Sequence, residues 1–192
     1  MRISKRVLPH ENVGKLPDIK STNAPDGLRG NLDTVKMIKE IARKESGDPL
    51  VRRIANNILH YHQVPSHSYL EEARVIATWV QENVRYVRDA DGIEQLTSPN
   101  MMLRNMTELG YMTGDCDDMA TLLSTLLLSI GCRPVLRCVR YKTDSGKYNH
   151  IYVVVYEQNH PNPTKRLVLD AIIKNKPIGT EMPHQSGDDF PI

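Results

Sequence analysis

A cysteine lies among carboxylates in the stretch Gly114–Asp118, which reads Gly-Asp-Cys-Asp-Asp. An apolar run follows and ends at Gly131, and its spacing of three and four residues predicts the buried face of a helix. The apolar positions are Met119, Leu122, Leu123, Leu126, Leu127 and Ile130. Asp115 is suited to cap this helix, and Asp118 stands where a capping box reaches back. Cys116 would therefore lie in the first helical turn, where backbone N–H groups have no intrahelical partner.

Nucleophilic chemistry at Cys116 would require its thiolate, whereas a free cysteine has a pKa of about 8.5. A helix N-terminus stabilises a nearby anion by roughly 0.3–1 kcal/mol, so it lowers the thiol pKa by less than one unit. The neighbouring carboxylates would raise that pKa again. Activation would therefore need a cationic partner, most simply an imidazolium. Without one, Cys116 would be a small residue of the core, as many free cysteines are.

The composition excludes several classes of protein. The chain has 192 residues, 40% hydrophobic and 25% charged, which suits one domain that needs no disulfides. The net charge of +2 indicates neither nucleic acid nor a membrane surface as a partner. The longest apolar run, 122–130, is too short to span a bilayer, and the first residues lack the apolar region of a signal peptide. An odd number of cysteines, three, favours a reducing compartment, so we expect a cytoplasmic protein.

Helix patterns also precede the cysteine helix. Their start signals are N-cap residues followed by proline or by the second residue of a capping box, and their stop signals are glycines. The predicted helices cover 31–46, begin at Asp48-Pro49 and at Ser68 with Glu71, and run from Ser98-Pro99 to Gly110. Trp79 is expected to pack at the edge of the inward face of the third helix.

The pattern changes after Gly131, where β-branched and aromatic residues predict strands. The predicted strands cover 134–141, 150–156 and 166–173. Because the connections are short, neighbouring strands should be antiparallel. Helices followed by an antiparallel meander indicate the α+β fold class.

Prolines and glycines without a sustained period mark both ends of the chain. We therefore expect an extended N-terminal arm at 1–30, a single domain at 31–173, and an extended C-terminal arm at 174–192. The first arm is either a flexible tail or a segment that orders against a partner.

Two residues of the predicted sheet could serve Cys116. His150 begins the second predicted strand and Asp170 lies in the third. If the turn between these antiparallel strands is centred near residue 161, the residue numbers of each opposing pair sum to about 322. His150 would then lie nearly opposite residue 172, with Asp170 one step away on the same face. Residues 150, 152, 154 and 156 share that face. A helix packed there would bring the thiol to the imidazole.

A thiol, an imidazole and a carboxylate together suit acyl transfer. The imidazole accepts the thiol proton, and the carboxylate fixes the ring tautomer and stabilises the imidazolium. Backbone N–H groups at the helix start would bind an oxyanion.

Several segments resemble the transglutaminase-like superfamily of cysteine proteases, and most of all the short versions encoded by tailed phages and prophages. The resemblance covers roughly residues 68–173. The segments that carry it are Trp79-x-x-x-Asn83-Val84-x-Tyr86, Ser98-Pro99, Gly114–Leu123, Ile130-Gly131, Asn149–Val153 and Leu169–Ala171.

The resemblance implies a papain-like fold in which Cys116 is the nucleophile and His150 and Asp170 complete a triad. It implies a peptidase or amidase, or an acyltransferase, that forms a thioester with a protein or peptide substrate. Gln95 is the candidate for a side-chain donor to the oxyanion.

The alternative is a structural protein of a virion or of its assembly, which keeps the fold without catalysis. It would bind neighbouring proteins through residues 1–30 and 174–192. If the protein is phage-encoded, we expect it in the host cytoplasm or in the virion.

Two groups of residues suggest a metal site. His60, His62 and His67 cluster after the second helix, but the first two would face different sides of a helix, so a solvated loop is the simpler interpretation. The three aspartates beside Cys116 could hold a cation, although consecutive carboxylates on one turn splay apart. We therefore predict no metal and no cofactor.

Overall fold

The fold combines five helices and eight strands in a computed structural model that describes residues 20–22, 28–89, 94–141, 148–157 and 164–192. The helices are α1 (Leu28–Glu45), α2 (Pro49–Tyr61), α3 (Tyr69–Asn83), α4 (Pro99–Leu109) and α5 (Cys116–Ser129). The strands are β1 (Lys20–Thr22), β2 (Val84–Tyr86), β3 (Glu94–Leu96), β4 (Met112–Gly114), β5 (Pro134–Arg140), β6 (His150–Tyr156), β7 (Arg166–Leu169) and β8 (Ser186–Pro191). The predicted α+β fold class is confirmed, with all five helices preceding the main sheet.

Most helix boundaries follow the predicted start and stop signals. Asp48 accepts a backbone N–H of the first turn of α2 at 2.7 Å, and Pro49 begins that helix. Ser98 caps α4, and Gly110 ends it with a left-handed φ of 80°. The capping box predicted at Ser68 is wrong, because its side chain makes no capping hydrogen bond.

α5 is the central helix of the fold. Every residue from Asp118 to Leu127 is buried, because the other four helices and strands β5 and β6 all contact it. Trp79 of α3 belongs to the same core with 1% exposure. Among the described residues, no helix is long and apolar enough to cross a membrane.

The main sheet has the strand order β7-β6-β5-β8, and every neighbouring pair is antiparallel. The first three strands form the predicted meander, although β7 ends at Leu169 rather than at Ile173. β6 lies in the interior of the sheet and is buried on both faces. One face belongs to the core around α5, and the other carries a smaller apolar cluster that includes Tyr152 and Val154.

The fourth strand of this sheet was not predicted. β8 pairs with β5 from Ser186 to Pro191, so the prediction of an extended C-terminal arm at 174–192 is wrong for these residues. Local patterns conceal the strand because it carries adjacent aspartates and ends in proline, which are features of an edge strand. Phe190 of β8 lies opposite Leu136 and packs against the core.

The predicted N-terminal arm, residues 1–30, lies largely outside the described residues. Residues 20–22 form β1, which pairs antiparallel with β3. α1 begins at Leu28, so the last residues assigned to the arm belong to a helix.

A small parallel sheet leads the chain to Cys116. β2 and β4 pair in parallel, with Tyr86 opposite Gly114. The backbone N–H of Val87 donates to the carbonyl of Gly114 at 3.0 Å and extends the pairing by one residue. The pair therefore fixes the end of β2 beside the start of α5.

We expect Phe190→Ala to lower the free energy of unfolding by about 1–2 kcal/mol, less than for a fully buried ring, because Phe190 is only partly buried. Pro191→Ala is the matched control at the next, exposed position. Urea denaturation followed by circular dichroism measures both. Equal stability of the two variants would contradict a stabilising role for β8.

Candidate active site

The reciprocal cap predicted for α5 is present. Asp115 Oδ1 accepts the backbone N–H groups of Asp117 at 3.0 Å and Asp118 at 3.4 Å. Asp118 Oδ2 in turn accepts the N–H of Asp115 at 3.3 Å. Both carboxylates thus accept backbone N–H groups at the start of the helix. The cap does not use the N–H of Cys116.

Asp118 also ties this turn to the preceding loop. Its Oδ1 accepts the backbone N–H of Thr97 at 2.7 Å. Burial raises the pKa of Asp118 to about 7, although the hydrogen bond from Thr97 opposes this rise. Position 114 requires glycine, because a Cβ there would lie 2.6 Å from the Cβ of Asp118.

His150 and Asp170 form a buried pair. The register between β6 and β7 is the predicted one, with Val153 opposite Leu169. Asp170 follows β7 directly, and its Oδ2 lies 2.8 Å from Nε2 of His150. Its Oδ1 accepts the backbone N–H of Ile172 at 3.4 Å, so both carboxylate oxygens are held. The other ring nitrogen of His150, Nδ1, is not involved in this pair.

Two tyrosine rings contact the imidazole of His150. The ring of Tyr141 stacks on it at 6.0 Å with an interplanar angle of 20°, and the ring of Tyr152 lies at 5.5 Å with an angle of 37°. The Tyr152 hydroxyl donates to Glu181 Oε1 at 2.6 Å, and Glu181 also pairs with arginines of β5 and β7. These contacts restrict the orientation of the imidazole.

α5 packs on the opposite face of β6 from the one predicted. Ile151 and Val155 join the core that contains α5, whereas Tyr152 and Val154 belong to the cluster on the other face. We expected the thiol to reach the imidazole on the face of β6 that carries Tyr152, and this prediction is wrong. The sulfur of Cys116 instead lies at the start of β6, where the backbone N–H of Ile151 donates to it.

Cys116 and His150 line one cavity of about 320 Å³, which lies at the lower end of the range for ligand sites. Asp117, Tyr86 and Tyr148 line it as well. The structure thus places the predicted nucleophile and imidazole at one cavity, and Asp170 Oδ2 lies 2.8 Å from the imidazole Nε2.

The other candidates lie elsewhere. Gln95 is not among the described residues that line this cavity, and its backbone N–H donates to Asp89 Oδ2 at 2.6 Å. His60, His62 and His67 are exposed, and within the described part of the chain they do not converge as metal ligands.

The environment of Cys116 favours the neutral thiol. Its Sγ donates to Asp117 Oδ1 at 3.2 Å. Burial raises the pKa of the thiol well above its ordinary value, and the charges of Asp117 and Asp115 raise it further, whereas the N–H of Ile151 lowers it. Formation of a thiolate therefore requires a base that takes the proton.

The three aspartates considered above as cation ligands do not all turn to one point. Ligand atoms of Asp115, Cys116 and Asp117 lie within 4.8 Å of one another. The carboxylate of Asp118 turns instead to the backbone of Thr97 and Asp115. The three aspartates therefore serve different partners.

Sequence patterns missed two contributors to the site. Tyr86 reaches the cavity because of a parallel pair of three-residue strands, which local periodicity does not reveal. Ile151 contributes through its backbone N–H, which no side-chain pattern can indicate.

We expect Asp117→Asn to accelerate alkylation of Cys116 by iodoacetamide. The substitution removes a charge and a hydrogen bond that both raise the thiol pKa, so more thiolate forms at about pH 8. A pKa lower by about one unit would give up to about a tenfold faster rate. Mass spectrometry measures the modified fraction, and Glu71→Gln, at an exposed carboxylate of α3, is the control. A rate at or below that of the wild type would contradict this explanation.

The stability of the wild type relative to Asp118→Asn should depend on pH. The pKa of Asp118 is about 7 in the folded state, against about 3.9 in an unfolded chain. Only the folded state binds the proton between these values, so the free energy of unfolding falls as pH rises from about 4 to 7. The shift sets an upper limit of about 4 kcal/mol. Urea denaturation at several pH values tests this, and parallel pH profiles of the two proteins would contradict it.

The chain matches one family model, that of the transglutaminase-like superfamily, over residues 52–161. Solved structures of Legionella pneumophila LapG are similar to it. The EGTA-treated form shares 18% identity and a TM-score of 0.42, covering 73% of this chain and 72% of that one. The calcium-bound form shares 19% identity and a TM-score of 0.41, covering 73% and 74%. No curated protein matches. Because the family model covers more than half of its length, this chain belongs to the transglutaminase-like superfamily.

Proposed function

We propose that this protein is a cysteine peptidase or amidase that acts through a thioester on Cys116. The observation that carries the proposal is the cavity that Cys116 shares with His150, whose Nε2 lies 2.8 Å from Asp170. In this proposal His150 is the base, and Asp170 fixes its tautomer and stabilises its protonated form. Membership of the superfamily supports the assignment.

Acylation begins with transfer of the thiol proton to His150. Because Nε2 faces Asp170, Nδ1 accepts this proton. The thiol first leaves Asp117 Oδ1, its partner in the resting state. The sulfur then attacks the carbonyl carbon of the substrate and forms the S–C bond. As the C–N bond breaks, the imidazolium gives its proton to the leaving nitrogen.

Deacylation regenerates the thiol. Nδ1 of His150 takes a proton from water, the oxygen attacks the thioester carbonyl, and the C–S bond breaks as the sulfur regains a proton. Water as the attacking group gives hydrolysis, and an amine in its place gives transfer to that amine. Hydrolysis needs no reactant beyond the solvent and is the reaction we propose.

A peptide segment is the substrate that the site suits. A cavity of about 320 Å³ accommodates a few side chains rather than a folded domain. Tyr86 lines this cavity and is 46% exposed, so an aromatic ring is available for packing against bound peptide.

We expect Cys116→Ala to abolish cleavage of peptides, because it removes the sulfur that forms the thioester in this proposal. His150→Ala and Asp170→Asn should each lower kcat/KM by about 100-fold or more, as expected for loss of general-base catalysis. Incubation of a peptide library with each protein, followed by mass spectrometry of the new termini, measures the effect.

Matched controls separate chemistry from folding. Cys132→Ala changes another free cysteine, and His62→Ala changes an exposed histidine, so both should retain cleavage. Alkylation of Cys116 across pH gives a second readout that needs no substrate. The proposal is rejected if no peptide is cleaved and if His150→Ala leaves the alkylation profile of Cys116 unchanged.

A further inference from the structure

Thioester chemistry needs donors for the oxyanion of each tetrahedral intermediate, so this inference rests on the proposed function. One donor is the backbone N–H of Cys116, which the cap of α5 leaves unused. Oxyanion sites commonly combine such a backbone donor with a side-chain donor, which here has to come from the cavity wall. Gln95 does not supply it, because it is not among the described residues of that wall.

Two polar side chains of the wall connect neighbouring segments. The Tyr148 hydroxyl donates to Asp188 of β8, and Asn149 Oδ1 accepts the backbone N–H of Tyr141 at 3.1 Å. Tyr86 also lines the cavity, and its phenol makes no hydrogen bond with any residue that the structure describes. The Tyr86 hydroxyl can therefore turn to a bound substrate without breaking a hydrogen bond to a described residue.

Backbone pairing places Tyr86 beside the nucleophile. Tyr86 lies opposite Gly114, which is two residues before Cys116. Paired strands lie about 4.8 Å apart. The hydrogen bond from Val87 to Gly114 continues the pairing past Tyr86, so its backbone is held on both sides. Arg88, another donor of this wall, lies beyond the last paired residue.

Tyr86 and Cys116 also interact electrostatically. Burial raises the pKa of the Tyr86 phenol, and the charges of Cys116 and Asp115 raise it further, while Arg88 lowers it. The phenol therefore keeps its proton at neutral pH. A neutral O–H close to the sulfur can donate to negative charge that develops there.

We infer that the Tyr86 hydroxyl and the Cys116 backbone N–H together bind the oxyanion of the tetrahedral intermediate. As the S–C bond forms, the π electrons of the substrate carbonyl move to its oxygen, and the Tyr86 O–H donates to that oxygen without losing its proton. When the carbonyl forms again, the C–N bond breaks in acylation and the C–S bond breaks in deacylation. Tyr86 is thus a further catalytic residue.

Two reactions of the same sulfur test this role. p-Nitrophenyl acetate acylates Cys116 through a tetrahedral intermediate, whereas iodoacetamide alkylates it by displacement and forms no oxyanion. In Tyr86→Phe, acylation should fall by about 100-fold, as for loss of one oxyanion donor, while alkylation stays within about twofold of the wild type. Release of p-nitrophenolate and mass spectrometry measure the two rates.

Tyr111→Phe is the matched control, since Tyr111 is exposed, stacks with Arg85 and is not among the described residues of the cavity wall. It should behave as the wild type in both reactions. Equal losses of acylation and alkylation in Tyr86→Phe would mean that the hydroxyl only supports the fold and would overturn the inference, as would undiminished acylation. Absence of Cys116-dependent acylation in the wild type would instead overturn the proposed function, and the inference with it.

Discussion

The reciprocal cap of α5 determines where the sulfur lies. Asp115 and Asp118 accept backbone N–H groups of the first turn, and Asp118 also binds the loop at Thr97, so rotation of this turn would break four hydrogen bonds. Gly114 permits the close approach of Asp118. The surrounding helices and sheet hold the rest of α5. Strand pairing places Tyr86 beside this turn. At the start of β6, the N–H of Ile151, the residue after His150, donates to the Cys116 sulfur.

Asp115, which caps the turn, and its neighbour Asp117 both oppose ionisation of the thiol. Asp117 and Asp115 raise its pKa beyond the effect of burial, so Cys116 is neutral at rest. A neutral thiol reacts slowly with oxidants and alkylating compounds. In the proposed mechanism the nucleophile exists only while His150 holds the proton, which limits side reactions of the sulfur between catalytic cycles.

Features that depend on nearby residues could be predicted from the sequence, and features that depend on distant ones could not. The cap of α5 and the register of β6 with β7 follow from local spacing and from the length of one connection. The face of β6 that meets α5 could not be predicted, because nearly all of β6 is buried and its sequence does not alternate. Gln95 was a choice by residue type alone, and the donor role now assigned to Tyr86 depends on pairing between β2 and β4.

The tyrosine rings around His150 affect the NMR chemical shifts of its imidazole protons. The ring of Tyr141, which lies 6.0 Å from the imidazole and 20° from parallel, shifts the resonances of the imidazole protons by its ring current. His62 and His67 meet their neighbouring tyrosines edge to face, where the sign and size of that effect differ. The carbon-bound protons of His150 therefore have a chemical-shift signature of their own, through which its protonation can be followed in the intact protein.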